Sequence, residues 1–405
     1  MARRPGTVSG AAQIGRRIED VNPKLLYIVT APITARTLLR GQLRYMRENG
    51  FDVTLICGAD ASLEEVGRRE GVRTIGIDIS RSIRPAQDIR TLAKLVQILR
   101  DCKPHIVNAS TPKAGLLGML AAKALGIQHR IYVLRGLRLE GTTGKLRAAL
   151  YASEWLAAAC SHEIISVGES LRKQYITLGL AASAKISVFG EGSSNGVDVT
   201  RFERTNERRV MANRLRTELG IGKEDLVFGF VGRFTRDKGI SDLVAAYRGI
   251  ASSARNARLL LVGEFDDTDP IGEDVRQLIV RTPGIIRVGS VSDVAPYYGV
   301  MDVLVLPSYR EGFPNVPLEA AAAGVPTVIY ASTGCVDAVV DGVTGRVVPT
   351  GDVSILTRAL QAYCDDSSAI TSHGAAAELR VRQHFRNEDV WKGLLDAYRR
   401  RLTLG

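Results

Sequence analysis

Two carboxylates, Glu311 and Glu319, flank a Gly/Pro turn in the run Pro307-Ser-Tyr-Arg-Glu-Gly-Phe-Pro-Asn-Val-Pro-Leu-Glu319. The apolar stretch 303–306 reads as a strand entering the turn, and the small residues 320–323 read as a helix leaving it. Asn315 reads as the N-cap, Pro317 as a first-turn residue, and Gly324-Val-Pro326 as the stop. A strand end of this kind offers free backbone N–H groups beside two acceptors for sugar hydroxyls. That is the chemistry of a nucleotide-sugar site.

A second constellation lies upstream in Val231-Gly-Arg-Phe-Thr-Arg-Asp-Lys-Gly239. Gly232 ends a strand and Lys238-Gly-Ile begins a helix, so Arg233 and Lys238 share one strand-to-helix loop within reach of a single diphosphate. A leaving nucleoside diphosphate gains negative charge as the sugar bond breaks, and fixed cations stabilise that charge more than the ground state. Taken alone, the loop is equally well two solvated charges on a turn; the acidic pair downstream favours the first reading. Two other patterns are set aside. Asp267-Thr-Asp269 sits in a polar loop bounded by Gly and Pro, and reads as solvated rather than metal-binding. Gly141-Thr-Thr-Gly-Lys145 has glycines too close for a P-loop, and Leu follows its lysine.

The elements that must position these residues alternate. Strands are expected at 24–29, 52–57, 73–77, 105–108, 130–134 and 163–167, with helices at 37–49 (closed by Gly50), 63–70, 87–102 and 114–125. This predicts a right-handed, mostly parallel sheet. The glycine-rich Gly190-Glu-Gly-Ser-Ser-Asn-Gly196 and the charged stretch 201–209 mark a boundary. A second series follows, with strands at 226–231, 258–262, 286–288, 303–306, 326–329 and 345–348. The tail 387–402 reads as an amphipathic helix with Val390, Trp391, Leu394, Leu395 and Tyr398 on its apolar side. The domains expected are a flexible leader 1–23, an N-terminal Rossmann-like domain 24–200 on the acceptor side, and a nucleotide-sugar-binding Rossmann-like domain 201–386. A closing helix 387–405 returns to the first domain. Two α/β halves imply a cleft, with ligands beyond the carboxyl ends of the strands.

At 405 residues and 45% apolar composition the chain can build two cores. A net charge of +11 favours an anionic partner: a nucleotide diphosphate, a lipid diphosphate or an anionic membrane face. No basic block with interleaved aromatics supports nucleic acid. The five cysteines and five histidines are scattered without ligand spacing, which points to a reducing cytoplasm and to no metal site. The leader lacks the apolar core of a signal peptide, and no window reaches the roughly 18 apolar residues of a membrane span. The stretch 144–161 mixes Lys145, Arg147, Leu146, Leu150, Tyr151, Trp155 and Leu156. It reads either as an ordinary helix burying Leu150 and Trp155 or as a cationic surface for an anionic bilayer.

The motifs together resemble those of family 4 retaining glycosyltransferases of GT-B fold, and among them the bacterial capsular and lipopolysaccharide-type sugar transferases. The resemblance rests on Gly232–Gly239, on the Glu311/Glu319 element and on Gly334-Cys-Val-Asp-Ala-Val-Val-Asp-Gly-Val-Thr-Gly345. In the first half it rests on Ser110-Thr-Pro-Lys-Ala-Gly115, Leu134-Arg-Gly-Leu-Arg-Leu-Glu-Gly141 and Gly192-Ser-Ser-Asn-Gly-Val-Asp198. It implies an α/β protein of two Rossmann-like domains facing across a cleft. Arg233 and Lys238 would hold the donor diphosphate, Glu319 the ribose hydroxyls, and Glu311 the transferred sugar. Gly312, Phe313, Pro314, Asn315 and Val316 would line the donor. On these terms Glu311, Arg233 and Lys238 are the catalytic set, and Thr111, Lys113 and Arg135 lie on the acceptor side. Two departures stand out: Ser110 where many relatives carry His, and Thr30-Ala-Pro-Ile-Thr34 in place of a Gly-Gly turn.

The reaction implied is retaining transfer of a hexosyl or N-acetylhexosaminyl unit from a nucleotide diphosphate sugar to a polyprenyl-diphosphate-linked saccharide. It would take place at the cytoplasmic face of the cell membrane, with no cofactor beyond the donor. The alternatives are a nucleotide-sugar 2-epimerase, which needs acid/base groups at the ring, and a non-catalytic sugar-nucleotide-binding subunit.

Overall fold

The computed structural model describes residues 22–80, 84–251 and 254–403. Nearly all of the expected leader therefore lies outside the described residues. Seven strands form the first sheet: β1 (Lys24–Ile28), β2 (Asp52–Gly58), β3 (Arg73–Ile77), β4 (Ile106–Ser110), β5 (His129–Leu134), β6 (Glu163–Ser166) and β7 (Ile186–Ser187), in the order β3-β2-β1-β4-β5-β6-β7. Six form the second: β8 (Leu226–Val231), β9 (Ala257–Val262), β10 (Ile285–Val288), β11 (Val303–Leu306), β12 (Thr327–Tyr330) and β13 (Gly345–Val348), in the order β10-β9-β8-β11-β12-β13. The pairings within both sheets are parallel.

Helices cover both faces of each sheet, so the central strands are continuous buried runs rather than alternating ones. Every residue of β4 and of β11 is buried. This is why the strands were readable as apolar stretches. In each sheet the order of connection reverses once, between β1 and β4 in the first and between β8 and β11 in the second. A crevice opens at such a reversal, beyond the carboxyl ends of the two strands.

The structure departs from the sequence reading in four places. The expected helix 37–49 is two helices, Pro32–Leu38 and Gln42–Glu48, broken at Gly41. Gly41 has φ 79°, and a side chain there would run into the Trp391 indole of the last helix. Asn315 is not an N-cap: the helix is Asn315–Ala322 and Pro314 stands at the cap with φ −76° and ψ 128°. Pro314, extended at ψ 128° and with no N–H to donate, takes the cap position, so winding begins at Asn315, one residue earlier than expected. The two-residue β7 gave no periodic signal. In the helix Gly144–Cys160, Leu150 is buried but Trp155 is 52% exposed.

The last helix, Asn387–Thr403, buries Val390, Leu394, Leu395 and Tyr398. The Tyr398 hydroxyl meets that of Tyr27 on β1 at 3.1 Å and receives the Asn108 amide from β4. The chain thus ends against the sheet on which it began. Where it crosses, Trp391 Nε1 donates to Asn195 Oδ1 (2.7 Å), and Val197 N donates to the Phe385 carbonyl (2.8 Å).

Candidate active site

The loop after β8 carries Gly232 to Gly239 and leads into the helix Ile240–Ala251. The loop after β11 carries Pro307 to Pro314 and leads into the helix Asn315–Ala322. Because β8 and β11 are neighbours at the reversal of the second sheet, the two motifs meet in space although they are far apart in the chain. Tyr309 N donates to the Asp237 carbonyl at 2.9 Å, tying loop to loop. Gly239, at φ 66°, lets the first loop turn against the Pro307 carbonyl, where a Cβ would collide.

Lys238 Nζ lies 2.5 Å from Glu311 Oε1, with both side chains mostly buried. Each ion is the other's partner. A charge in such a setting is stable only while paired or hydrogen-bonded, so the pair can open only toward groups that satisfy both charges in its place. The Glu311 N–H is itself held by the Thr333 carbonyl at 3.1 Å.

Arg233 is placed differently. It is 55% exposed and pairs at 2.6 Å with Asp266, on the loop after β9. Hydrogen bonds from Thr268 and then Arg233 hold the Asp266 carboxyl well below the usual carboxylate range. Arg233 also lines a cavity of about 490 Å³ with Gly263, Ser290 and Val291. Asp267, from the D-x-D run set aside above, pairs with Arg276 at 2.9 Å, and Asp269 accepts the Asp237 N–H. Among the described residues no cluster of three or more His, Cys, Asp or Glu is arranged to hold a metal ion.

Glu319 is one turn into its helix, and its Oε2 accepts the Tyr298 hydroxyl at 2.6 Å. Burial pushes its carboxyl above the usual carboxylate range, against the opposing pull of that hydrogen bond. Glu319 lines a cavity of about 190 Å³ with Asn315, Arg201, Arg40 and Trp391. The Asn315 Oδ1 is buried without a hydrogen-bond partner. An acceptor left unpaired at a helix start, next to a carboxylate and amides with no intrahelical partner, suits a hydroxyl-rich, anionic ligand. Pro314 has no N–H to offer, and the Phe313 ring packs on Phe385 (centroids 5.5 Å apart) rather than facing the cleft.

The first domain closes over this region by backbone. A Cβ on Gly312 would strike the Arg135 carbonyl, so glycine is what allows the two loops to touch. Ser170 donates its N–H (3.0 Å) and hydroxyl (2.7 Å) to Asp337, and Thr333 donates to Glu140 at 2.8 Å. Of the acceptor-side residues expected from sequence, Lys113 pairs with Asp88 at 2.7 Å. Thr111, at φ 72°, bonds the Thr30 hydroxyl at 2.6 Å and so bridges the reversal of the first sheet. Arg135 gives Nη1 to the Ser194 carbonyl at 2.9 Å; burial lowers its pKa to about 10, and its Nε is buried without a partner. His105, His129 and His162 sit at the amino ends of β4, β5 and β6, the opposite edge from the crevice. Tyr298, Thr333 and Ser170 carry no sequence motif, and Asp337, although it stands inside the Gly334–Gly345 run, had no role assigned to it; only the fold brings them to the site.

Comparison with known proteins agrees with this arrangement. The profile "Glycosyl transferases group 1" matches residues 225–366, and "Glycosyl transferase 4-like domain" matches residues 34–192. The chain is 34% identical to the capsular polysaccharide biosynthesis glycosyltransferase CapM of Staphylococcus aureus, over 93% of this chain and 97% of that one. It is 25% identical to the UDP-Gal:alpha-D-GlcNAc-diphosphoundecaprenol alpha-1,3-galactosyltransferase of Escherichia coli, over 78% of this chain and 81% of that one. Among solved structures, Anabaena HepE in complex with UDP and glucose superposes with a TM-score of 0.76 at 18% identity, covering 93% of this chain and 99% of that one. The sucrose-phosphate synthase of Thermosynechococcus elongatus superposes with a TM-score of 0.76 at 20% identity, covering 95% and 100%. Two facing parallel-sheet domains, with the cationic and acidic loops meeting at one reversal, are thus the GT-B architecture, and the chain belongs to the group 1, family 4-like glycosyltransferases.

Proposed function

We propose that this glycosyltransferase moves a hexosyl or N-acetylhexosaminyl unit from a nucleotide diphosphate sugar to a polyprenyl-diphosphate-linked saccharide, as a step in surface polysaccharide synthesis. The observation that carries the reading is the meeting of Lys238 and Glu311 at the β8/β11 crevice. The similarity to CapM supports a capsular product. The undecaprenol-linked acceptors in the names of the Escherichia coli and Campylobacter jejuni relatives support the lipid carrier.

In this reading Arg233 and Lys238 grip the donor diphosphate, Glu319 and Asn315 take the ribose hydroxyls, and Glu311 orients the transferred sugar. The bond from the anomeric carbon to the phosphate oxygen breaks while the acceptor oxygen bonds that carbon from the same face. The acceptor's proton passes to the leaving phosphate oxygen, so configuration is retained without an enzyme nucleophile. The cations stabilise charge that is largest as the bond breaks. The position of the first domain's histidines, away from the crevice, argues against the epimerase alternative.

The exposed Trp155, Leu146 and Tyr151 on one helix with Lys145 and Arg147 support seating on an anionic inner membrane face near the lipid-borne acceptor. Among the described residues no helix is long and apolar enough to cross a membrane.

A panel of nucleoside diphosphates in thermal shift, followed by mass analysis of donor with lipid-linked saccharides, tests the reading. A lipid-linked product one sugar heavier is expected. Conversion of the donor alone into an isomer would replace it with the epimerase, and donor binding without hydrolysis or transfer would replace it with a binding subunit.

A further inference from the structure

Beside the Lys238–Glu311 pair lies a separate cavity of about 590 Å³, walled by both domains. Its volume falls in the range of about 300–1,000 Å³ typical of small-ligand sites. The first domain contributes the loop of Glu140, and the second contributes the loop of Arg236 and Asp237 together with Asp242, Tyr309 and Arg310. With Asp269, four carboxylates face two guanidinium groups, so the lining repels phosphate. The donor diphosphate and the lipid diphosphate both belong elsewhere.

What the lining suits is a neutral polyol. Tyr309 is 44% exposed, yet its ring is fixed. Its hydroxyl donates to Asp242 Oδ2 at 2.6 Å, alongside the Tyr330 hydroxyl at 2.8 Å. The two rings meet edge to face, 5.7 Å apart at 79°. A rigid aromatic face in a polar cavity is a platform for the C–H face of a pyranose, and the surrounding carboxylates and Arg310 can take its hydroxyls. The cavity is coupled to the reacting centre: Arg310 precedes Glu311, Asp237 precedes Lys238, and Glu140 accepts from Thr333, whose carbonyl holds the Glu311 N–H.

The geometry points to this cavity as the subsite for the uncharged saccharide of the acceptor, with Tyr309 as its stacking platform. The inference rests on the transferase reading above, and specifies which surface selects the acceptor sugar.

Two measurements on the full chain test it. The first is steady-state transfer to a polyprenyl-diphosphate disaccharide in the wild type, Tyr309→Ala and Tyr309→Phe. The acceptor KM rises about tenfold in Tyr309→Ala, the donor KM rises by much less, and Tyr309→Phe recovers most of the loss. A rise confined to the donor KM, or an equal loss in both variants, overturns the inference while leaving the transferase reading intact. The second is saturation-transfer NMR with methyl hexosides and methyl N-acetylhexosaminides, which needs no turnover. Ring-proton saturation that disappears in Tyr309→Ala is expected. If no glycoside responds to the substitution the inference fails, even if the wild type proves to transfer no sugar at all.

Discussion

Lys238 and Glu311 share one ion pair across 2.5 Å although they stand on loops following two different strands. The pair keeps both charges satisfied; in the function proposed above, each side chain would exchange its partner for part of the donor when it binds. Lys238→Ala removes charge stabilisation felt most in the transition state, so kcat falls by about 10²–10³-fold. Glu311→Ala is expected to lose activity to a similar degree through misplacement of the sugar. Circular dichroism of both variants should remain native. Turnover at the wild-type rate in either would remove that residue from the mechanism.

Glu319 accepts from Tyr298 in the absence of donor. If it takes the ribose hydroxyls, Glu319→Ala raises the donor KM about 10–100-fold, the worth of hydrogen bonds to a charged group. Burial raises its pKa, so protonation sets in at higher pH than for an ordinary carboxyl. Protonated carboxyl is a poorer acceptor, and the donor KM should climb as the assay is lowered from about pH 8 toward about pH 5. Tyr298→Phe removes the donor that favours the ionised form and should move this rise to still higher pH. A KM profile insensitive to that substitution would count against the assignment.

The strands and both charged loops were legible because their signals are local. Buried parallel strands are short apolar runs, and Arg233, Lys238, Glu311 and Glu319 all lie on the loop and first helical turns that directly follow a strand. What was not legible depends on residues far apart in the chain. Gly41 breaks a helix because Trp391 of the last helix packs over it, which no window around 37–49 contains. Asp337 meets Ser170 across the domain gap. In the helix Gly144–Cys160, alanines on every side blur the apolar stripe, so the sequence could not say that Leu150 faces in and Trp155 faces out.

If Arg233 and Lys238 neutralise the diphosphate as proposed, a divalent cation is unnecessary for leaving-group stabilisation. Transfer should survive dialysis against a chelator with less than about a twofold change, whereas an Arg233→Ala variant loses rate under the same conditions. Rate loss in chelator that added magnesium or manganese restores would show that the cations alone do not suffice.

Seating on a bilayer through the helix Gly144–Cys160 requires both its exposed apolar residues and its charge. Lys145→Glu should weaken co-sedimentation with phosphatidylglycerol-rich vesicles by about tenfold at low salt and flatten the loss with added salt, since each cation near an anionic surface contributes about 1 kcal/mol that salt screens. Trp155→Ala should weaken binding at every salt concentration, because the indole contributes apolar burial rather than charge. Binding unchanged in both would assign the membrane contact to another surface.

Glu154 lies on the inner side of the same helix, nearly sealed from water. Its Oε2 accepts the hydroxyls of Tyr132 (2.9 Å) and Tyr175 (3.3 Å), but burial outweighs them and raises its pKa from 4.5 to about 7. Its raised value means that between those limits the native state holds a proton the unfolded chain has released. Stability should therefore be greatest at the acid end of this window and fall as pH rises through about 7. Glu154→Gln keeps a carbonyl for the two phenols and removes the titration. In urea unfolding at about pH 5 and about pH 8, the wild type should lose on the order of 1–3 kcal/mol more than the variant between the two. If both lose the same amount, the carboxyl is ionised at low pH in the folded protein, and the two tyrosines stabilise its charge more than burial opposes it.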